Sequence, residues 1–493
     1  MSSLPARPRL AAHVLSRRHI VDGDERIVLH DLGAGRLVQI GPREWGLLAA
    51  ADGTRDLAGI VLAAAREGAH AREAALRGFL EQLHAAGMLE DGAPEEGSPT
   101  AVPEQESAAP SVAESDAHAV ESTHDDVAAR PLLPLPGYTL TCDGSGSCCR
   151  FYGSVIFGPV EAARARALLP LVRDGGARHE RVFMPEHGSA PTGGSAVTFC
   201  DGHCVYLGDD GRCGLHAAGG PGGKPLGCRV YPATFIDDGE SVRVSVSVEC
   251  ACVLTSVDRP GGAPLVPEGA RTRGDLDESL VVESLDEQLP ITASSFAPRA
   301  TFVAWSREIV KFVPAADTAA SLFALARAVE SKGLDLAAAA QAMASPAALR
   351  PEDVGDWAAA LSRRAARRAR EDASWRNERD LVLRAARWIT AAAEAMADTE
   401  TAAAVLALPP PSPRSEQFYL EALLHGHRLA SRRPLVLALR DRAVRIVVAR
   451  ALVHVVAGLP AEERDPAAAH PLALVEATLR GHGLDMYVED VEM

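Results

Sequence analysis

The sequence predicts a multidomain α+β protein in which a small N-terminal domain, an irregular cysteine-rich domain and a helical C-terminal domain follow one another. Three observations predict this organisation. Two alternating strands and three amphipathic helices can be placed in the first 90 residues, all nine cysteines lie between Cys142 and Cys252, and helical periodicity dominates from about Ala293 onward. A chain of 493 residues is long enough for several domains with separate cores. The boundaries are placed at 1–90, 91–130, 131–260 and 261–493.

The charge balance argues against general nucleic-acid binding. The chain has a formal net charge of −16, and residues 91–130 hold ten acidic residues and one arginine, which supply −9 of it. Residues 1–90 contain eleven arginines, no lysine and eleven acidic residues, so this region has no basic excess to offer a phosphate backbone. No nucleic-acid partner is expected.

No segment is typical of export or membrane insertion. The first 20 residues carry basic side chains but lack the apolar core of a signal peptide. The most apolar late stretch, Ala443 to Pro460, is interrupted by Arg445 and Arg450 and is too short to cross a bilayer. Nine cysteines without an export signal are typical of a reducing compartment. We therefore expect a cytoplasmic protein without a membrane span.

Residues 19–90 predict a hairpin followed by three helices. Arg26 to His30 and Arg36 to Ile40 alternate in polarity and are joined by a glycine-containing loop. Pro42 suits the first position of a helix, and Thr54 is the expected N-cap of the second. A third helix over 71–86 has leucines and a phenylalanine on one face and ends at a glycine.

These elements resemble the peptide-binding winged helix of the pyrroloquinoline quinone biosynthesis chaperone and related recognition modules of enzymes that modify ribosomal peptides. The shared features are the strand pair, the turn Asp52-Gly53-Thr54 and the ending FLEQLHAAGMLE, over about 70 residues. The resemblance implies a winged helix whose exposed strand edge captures a peptide or protein substrate by strand addition. The alternative is a winged helix that only packs against its neighbour.

Residues 91–130 predict a disordered acidic linker. The segment is rich in Glu, Ser, Ala and Pro and has too little apolar surface to order itself by burial. Its like charges repel one another, so we expect a flexible spacer.

The cysteines between Cys142 and Cys252 have three explanations. A disulfide framework suits short secreted domains, whereas this chain is long and its cysteine count is odd. A reduced core position suits one or two cysteines, Cys252 first among them, but not nine. Metal ligation by thiolates accounts for the whole array.

The spacing favours an iron–sulfur site over zinc. Tetrahedral zinc sites usually carry paired C-x2-C knuckles, and this sequence has none. The radical S-adenosylmethionine spacing C-x3-C-x2-C is also absent, because eight residues separate Cys204 from Cys213. Well-separated cysteines with a vicinal pair, Cys148 and Cys149, are more typical of loops that converge on a cluster.

Local patterns place the cysteines on loops and short strands. Glycines surround most of them, since the backbone must bend sharply to aim several sulfur atoms at one point. The run CVYLGDDGRCGLH predicts a hairpin of two strands that brings Cys204 close to Cys213. FYGSVIF predicts a strand, residues 159–169 a helix, and Ser241 to Val248 the clearest strand of the chain.

The segments CDGSGSCC, CVYLGDDGRCGLH and CRVYP resemble, in this order, a CxxCxxCC-type cysteine-cluster family of zinc- or iron-chelating proteins, to which the flagellin lysine-N-methylases are related. The resemblance runs from about Leu140 to Cys250. One departure is that Ser145, a poor ligand for a soft metal, stands where the family motif often has its second cysteine. The resemblance implies a metal-ligand role for Cys142, Cys148, Cys149, Cys204, Cys213 and Cys228.

Six thiolates exceed the four that one zinc ion or one cluster requires, so either two ions bind or some thiolates have another role. The two adjacent cysteines also point in different directions and need not share one ion. Cys250 matches a later cysteine of the methylase branch, and Cys200 and Cys252 are secondary candidates. His216 is an alternative ligand or a surface histidine, and Arg229 either lowers a thiol pKa or forms a salt bridge.

The remainder of the chain predicts helices. SREIVKFV, DTAASLFALARAVES and DLVLRAARWITAAAEAMA have helical periodicity, and prolines between residues 409 and 413 interrupt the series. Within the run 359–370, a solvated face is expected for Arg363, Arg364, Arg367 and Arg368, and an acidic partner is the alternative. The last two helices are similar to the C-terminal part of the lysine-N-methylase branch.

The expected cofactor is an iron–sulfur cluster, of the 4Fe–4S type, or zinc. The expected function is that of a metal-binding protein that acts on, or helps to mature, a polypeptide delivered by the N-terminal domain. Protein-lysine N-methylation with S-adenosylmethionine is an alternative, although no glycine-rich nucleotide turn follows a strand. A non-enzymatic zinc or iron chelator and a zinc-stabilised scaffold are the others. The sequence assigns no catalytic residue.

Overall fold

A computed structural model of the chain describes residues 4–31, 36–92, 127–151, 155–169, 182–185, 194–259, 261–313, 317–373, 376–378, 380–430, 433–460 and 470–480. Within these ranges the protein is mixed α+β, about 52% helical, with 17 helices and several small sheets. Most of the predicted linker 91–130 lies outside the described residues. The mixed α+β class is therefore confirmed.

The N-terminal region is an antiparallel strand meander followed by three helices. β2 and β3 pair over their whole length, and β3 pairs with β4. A separate two-stranded ladder joins β1 to β5 after the third helix. The elements are β1 (Pro8–Leu10), β2 (Val14–Val21), β3 (Asp24–Asp31), β4 (Leu37–Ile40), α1 (Pro42–Ala49), α2 (Leu57–Arg66), α3 (Glu73–Ala85) and β5 (Leu89–Asp91).

The predicted strand pair corresponds to β3 and β4, and the three predicted helices to α1, α2 and α3. The predicted cap of α2 is wrong. Thr54 hydrogen-bonds through its amide and hydroxyl to the Asp52 carboxylate, at 3.0 and 2.6 Å, and so belongs to the preceding turn. Asp56 caps α2 instead, because its carboxylate accepts from the Gly59 amide at 2.8 Å.

The cysteine-bearing region consists of short elements. The predicted helix at 159–169 and the strand at 241–248 correspond to α5 and β13. Its elements are β6 (Leu132–Pro134), α4 (Ser147–Phe151), β7 (Ile156–Phe157), α5 (Pro159–Leu168), β8 (Phe183–Pro185), β9 (Ser195–Val197), β10 (Phe199–Cys200), β11 (His203–Cys204), α6 (Gly214–Gly223), α7 (Leu226–Val230), β12 (Ala233–Asp237), β13 (Val242–Val246) and α8 (Ala251–Thr255).

Two local predictions in this region are corrected. The run after Cys204 does not return as a strand, because only Leu207 and Cys213 form a single bridge before α6 begins. In FYGSVIF, Phe151 ends α4 and only Ile156–Phe157 are strand, while residues 152–154 lie outside the described residues.

The C-terminal region is helical from residue 299. Three short strands precede it, so the prediction of an all-α domain from residue 261 is too broad. The elements are β14 (Glu283–Ser284), β15 (Gln288–Pro290), β16 (Phe296–Pro298), α9 (Arg299–Ile309), α10 (Thr318–Lys332), α11 (Leu336–Ala344), α12 (Pro351–Ala373), α13 (Leu381–Ala397), α14 (Thr399–Leu406), α15 (Pro413–His425), α16 (Leu435–Ala457) and α17 (Pro471–Arg480).

Two mixed sheets join distant parts of the chain. The first has the order β11-β10-β2-β3-β4, and β10 runs parallel to β2 with Phe199 opposite His19. The second has the order β14-β12-β13-β6. Each sheet therefore contains strands from both sides of a predicted domain boundary, residue 130 for the first sheet and residue 260 for the second.

The largest hydrophobic core lies between the second sheet, α8 and the C-terminal helices, and includes Val244, Val253, Leu322 and Val447. The predicted solvated arginine face of α12 is partly wrong, because Arg364 is buried and donates to the Leu479 carbonyl. None of the helices in the described ranges is long and apolar enough to span a membrane.

Candidate metal centre

The vicinal cysteines lie at the start of α4, behind a glycine-rich loop. Gly144 and Gly146 both have positive φ, 73° and 68°, a conformation that glycine adopts without steric strain. The Cys149 amide donates to the Gly146 carbonyl at 3.0 Å, which starts the helical turn. The Cys148 and Cys149 sulfur atoms are 4.0 Å apart. The two side chains therefore point towards a common region, contrary to the expectation from adjacent positions.

A tight turn at residues 208–212 packs directly against this loop. The Gly208 amide donates to the Arg212 carbonyl at 2.8 Å, and Gly211 has a φ of 76°. A β-carbon added at Gly146 would lie 2.9 Å from the Gly211 carbonyl oxygen. The two backbones can approach this closely only because both segments lack side chains there. This contact brings the α4 cysteines near Cys213, which follows the turn.

Cys204 and Cys213 border the same turn. Cys204 is on β11, opposite Phe199 of β10, and Cys213 is the residue before α6. The Leu207 amide donates to the Cys204 carbonyl at 2.9 Å, and Leu207 bridges to Cys213. The predicted proximity of these two cysteines thus results from a turn and a single bridge rather than from a hairpin of two strands.

Cys228 is on the short helix α7, whose position is fixed by Glu161. One carboxylate oxygen of Glu161 accepts from the Leu226 amide at 2.7 Å, and the other accepts from the Gly158 amide at 3.0 Å. The carboxylate therefore ties the first turn of α7 to that of α5. Arg229 contacts the same carboxylate at 4.0 Å, which favours the salt-bridge interpretation of this arginine.

Five of the six predicted ligands influence one another electrostatically, and we call them the thiol cluster: Cys148, Cys149, Cys204, Cys213 and Cys228. Burial raises the pKa of Cys204, and its sulfur neighbours Cys228, Cys213 and Cys148 raise it further. Burial likewise raises the pKa of Cys228 to about 12, with Lys224 acting in the opposite direction. A hydrogen bond between the vicinal thiols lowers the pKa of Cys148 and raises that of Cys149.

The sixth predicted ligand, Cys142, lies in a second group with Cys250 and Cys252. The Cys252 thiol donates to the Asp143 carboxylate at 3.1 Å, and the Asp143 amide donates to the Cys252 sulfur at 3.5 Å. A hydrogen bond with Cys252, together with burial, raises the pKa of Cys142. Cys142 also raises the pKa of Cys148, so the second group adjoins the thiol cluster.

The two other candidates have different surroundings. Cys200 is buried in the core formed by β10 and its neighbours. His216 is exposed on α6, one turn after Cys213. Cys252 and Asp143 contact each other although they are 109 residues apart, and only the tertiary fold reveals that relationship.

The donor chemistry of the thiol cluster fits a soft metal, whereas its side-chain arrangement is not that of a closed site. Within the described ranges, no group of three or more His, Cys, Asp or Glu side chains is arranged to hold a metal ion. The distance between the sulfur atoms of Cys148 and Cys149 is close to that expected for two thiolates on one metal ion. Two thiolates at about 2.3 Å from one tetrahedral ion lie about 3.8 Å apart, close to the 4.0 Å between Cys148 and Cys149.

No family model matches this chain, and neither the curated proteins nor the solved structures compared with it give a match.

Proposed function

We propose that the thiol cluster binds a soft metal, as an iron–sulfur cluster or as zinc, and that the protein acts on or helps to mature a polypeptide. The observation that carries this proposal is the electrostatic influence that five thiols from four separate segments exert on one another: α4, β11, the residue before α6, and α7. Thiols used only as small core residues have no reason to gather. Thiolate coordination supplies that reason.

The electrostatics also favour a bound cation. Four of the five thiols are in a position where burial opposes ionisation, and their mutual repulsion would grow as each lost its proton. Lys224, one of three lysines in the chain, is the cation whose charge lowers the pKa of Cys148 and Cys228. One lysine cannot neutralise several thiolates. A metal centre would offset their charge.

The sulfur separation of the vicinal pair favours zinc as a second candidate. Two thiolates 4.0 Å apart can bind one ion, as zinc requires. In a 4Fe–4S cluster each thiolate binds a different iron, so the cysteine sulfur atoms are spread more widely. The zinc version is a scaffold or chelator in which the metal ties the glycine-rich turns together.

The sheet topology supports a polypeptide partner at β4. On one side, β2 is already paired with β10 of the cysteine-bearing region. On the other side, β4 is the last strand of the sheet in the described part of the chain. Its free backbone groups are therefore the edge at which an extended peptide would add as a further strand.

The test is anaerobic purification followed by a visible absorption spectrum and metal analysis. An iron–sulfur cluster predicts a coloured protein with iron and sulfide, and the zinc version predicts a colourless protein with about one zinc per chain. Protein that contains neither metal, and takes up neither on reconstitution, would overturn the proposal. Incubation of lysine-containing peptides with S-adenosylmethionine, followed by mass spectrometry, tests the methylase version.

A matched pair of substitutions on the β10–β11 hairpin tests the ligand assignment. Cys204→Ala removes a cluster thiol, and we expect it to lose most of the bound metal. Cys200→Ala removes a buried cysteine from the same hairpin, four residues away, and should keep the metal. Equal metal content in both variants would contradict the assignment of Cys204.

A further inference from the structure

An open groove lies beside the second thiol group. Its volume is about 600 Å³, and it runs between residues 136–139, residues 256–259 and α15. Ser256 lines the groove and hydrogen-bonds to the segments that carry the cysteines. Its hydroxyl accepts from the Thr141 amide at 2.9 Å and donates to the Cys252 carbonyl at 2.6 Å. The groove is thus connected to the segments that carry Cys142 and Cys252.

One wall of the groove is aromatic and held in place. The rings of Tyr138 and Phe418 stack with their centroids 4.8 Å apart and an angle of 25° between their planes. The Tyr138 hydroxyl donates to the Val253 carbonyl at 3.1 Å, which fixes the ring relative to α8. Phe418 is buried and Tyr138 is half-buried, so Tyr138 is the ring of this wall that can face a ligand.

The groove is lined by two arginines, Arg259 and Arg414, and two acidic residues, Asp258 and Glu421. Arg414 forms an ion pair with Asp258 at 3.1 Å, and Glu421 accepts from the Gln417 side chain at 3.0 Å. Arg259 is exposed and its guanidinium forms no hydrogen bond or ion pair among the described residues, although its charge helps to lower the pKa of Asp143. A guanidinium carries five donors in a planar fork that matches a carboxylate or a phosphate.

We propose that this groove binds a carboxylate or phosphate attached to an apolar or aromatic body. The anion would accept from Arg259, and the body would lie along the wall of Tyr138 and Phe418. The inference deepens the proposed function, because it names the kind of group on the polypeptide or small molecule that the protein would bind next to its thiols.

The test is calorimetric titration of the purified full-length protein with three probes. N-acetylphenylalanine supplies a carboxylate and phenyl phosphate supplies a phosphate, while N-acetylphenylalanine amide has the same body without the charge. We expect an anionic probe to bind at least tenfold more tightly than the amide. The stronger of the two anions identifies the group preferred by the groove. Equal affinity for all three probes, or no binding of any, would overturn the proposal.

Two arginine variants locate the site. Arg259→Gln should weaken anion binding at least tenfold. Arg72→Gln, an exposed arginine on the N-terminal region, should leave it unchanged. Anion binding that survives in Arg259→Gln would also overturn the proposal. Metal content is measured on the same samples. Protein that contains metal but binds no anion would contradict the proposed anion site and leave the proposed metal centre standing. Protein that binds the anion but contains no metal would contradict the metal centre and leave the anion site standing.

Discussion

A β-carbon added at Gly211 would lie 2.6 Å from the carbonyl oxygen of Gly144, which is too close for a non-bonded contact between carbon and oxygen. The turn that precedes Cys213 and the loop that precedes Cys148 are therefore in direct backbone contact. Both glycines also have positive φ. This contact holds two of the segments that deliver sulfur atoms to the thiol cluster.

Gly211→Ala should separate these two segments. The substitution adds both a strained φ and a clash with backbone, so we expect a loss of about 2 kcal/mol or more in the free energy of unfolding, and reduced metal content. Gly269→Ala is the matched control, since Gly269 has a φ of 89° but nothing within 4 Å of an added β-carbon. Thermal unfolding and metal analysis of the two variants measure the difference. Equal effects would show that the close contact is unimportant.

Glu249 should make stability fall as the pH rises. Burial, followed by the negative charge of Glu476, raises the pKa of Glu249 to about 8. The folded protein therefore holds a proton that the unfolded chain releases near pH 4.5. The folded state binds more protons between these values, so the free energy of unfolding decreases from about pH 5 to pH 8.

Glu249→Gln should remove this slope. The neutral amide needs no proton, so the variant is expected to be more stable than the parent at pH 8.5 by about 1 to 3 kcal/mol, and similar to it at pH 5. Urea unfolding at several pH values measures the effect. Parallel pH profiles for parent and variant would contradict the assignment.

The buried pair of Glu416 and Arg450 should be sensitive to removal of either partner. The Arg450 guanidinium donates to both Glu416 oxygens, at 3.0 and 2.6 Å, and to Asp317 at 2.8 Å. Glu416→Ala leaves the buried guanidinium with Asp317 as its one carboxylate partner among the described residues, and we expect a loss of about 3 to 5 kcal/mol in the free energy of unfolding. In the exposed pair of Glu308 and Lys311, Glu308→Ala should lose less than about 1 kcal/mol. Chemical denaturation measures the free energy of unfolding of the Glu416→Ala and Glu308→Ala variants. Similar losses in both would contradict the difference expected between a buried and an exposed ion pair.

Asp380 has two roles at the start of α13. Its carboxylate caps the helix by accepting from the Val382 amide at 2.7 Å, and it accepts from the buried Arg376 at the same distance. Asp380→Ala should therefore destabilise the protein by about 2 to 4 kcal/mol. Asp398→Ala removes an exposed cap of α14 that pairs with no arginine in the part of the chain that the structure describes, so its effect on the urea midpoint of unfolding should be clearly smaller. Equal shifts of the unfolding midpoint in both variants would show that the helix cap contributes to stability and that the ion pair with Arg376 does not.

The sequence predicted the elements that have strong periodicity or strict alternation. β3, β13 and α10 are of this kind in sequence, although β13 is buried on both faces and the first nine residues of α10 are all buried. It missed β2, whose centre reads Ser-Arg-Arg-His and lacks a clear apolar alternation. This strand forms through pairing with β3 on one side and β10 on the other, and the second partner is nearly 180 residues away.

The metal-ligand roles of the six cysteines stay a prediction. The family resemblance assigned that role to Cys142 together with the five members of the thiol cluster, and these five influence one another electrostatically. It could not place Cys142 beside Cys252, because that neighbourhood depends on where α8 packs in the core. Glu161 was also missed, since its role requires the tertiary contact between α5 and α7.

The width of the continuous sheet from β4 to β11 determines how long a polypeptide bound at β4 must be to reach Cys204 on β11. Four strand spacings of about 4.8 Å separate these two strands, or about 19 Å in total. An extended chain advances about 3.3 Å per residue, so roughly six residues are needed to cover that distance. A polypeptide held along β4 would therefore present to the sulfur atoms a residue at least about six positions away from the segment that is gripped.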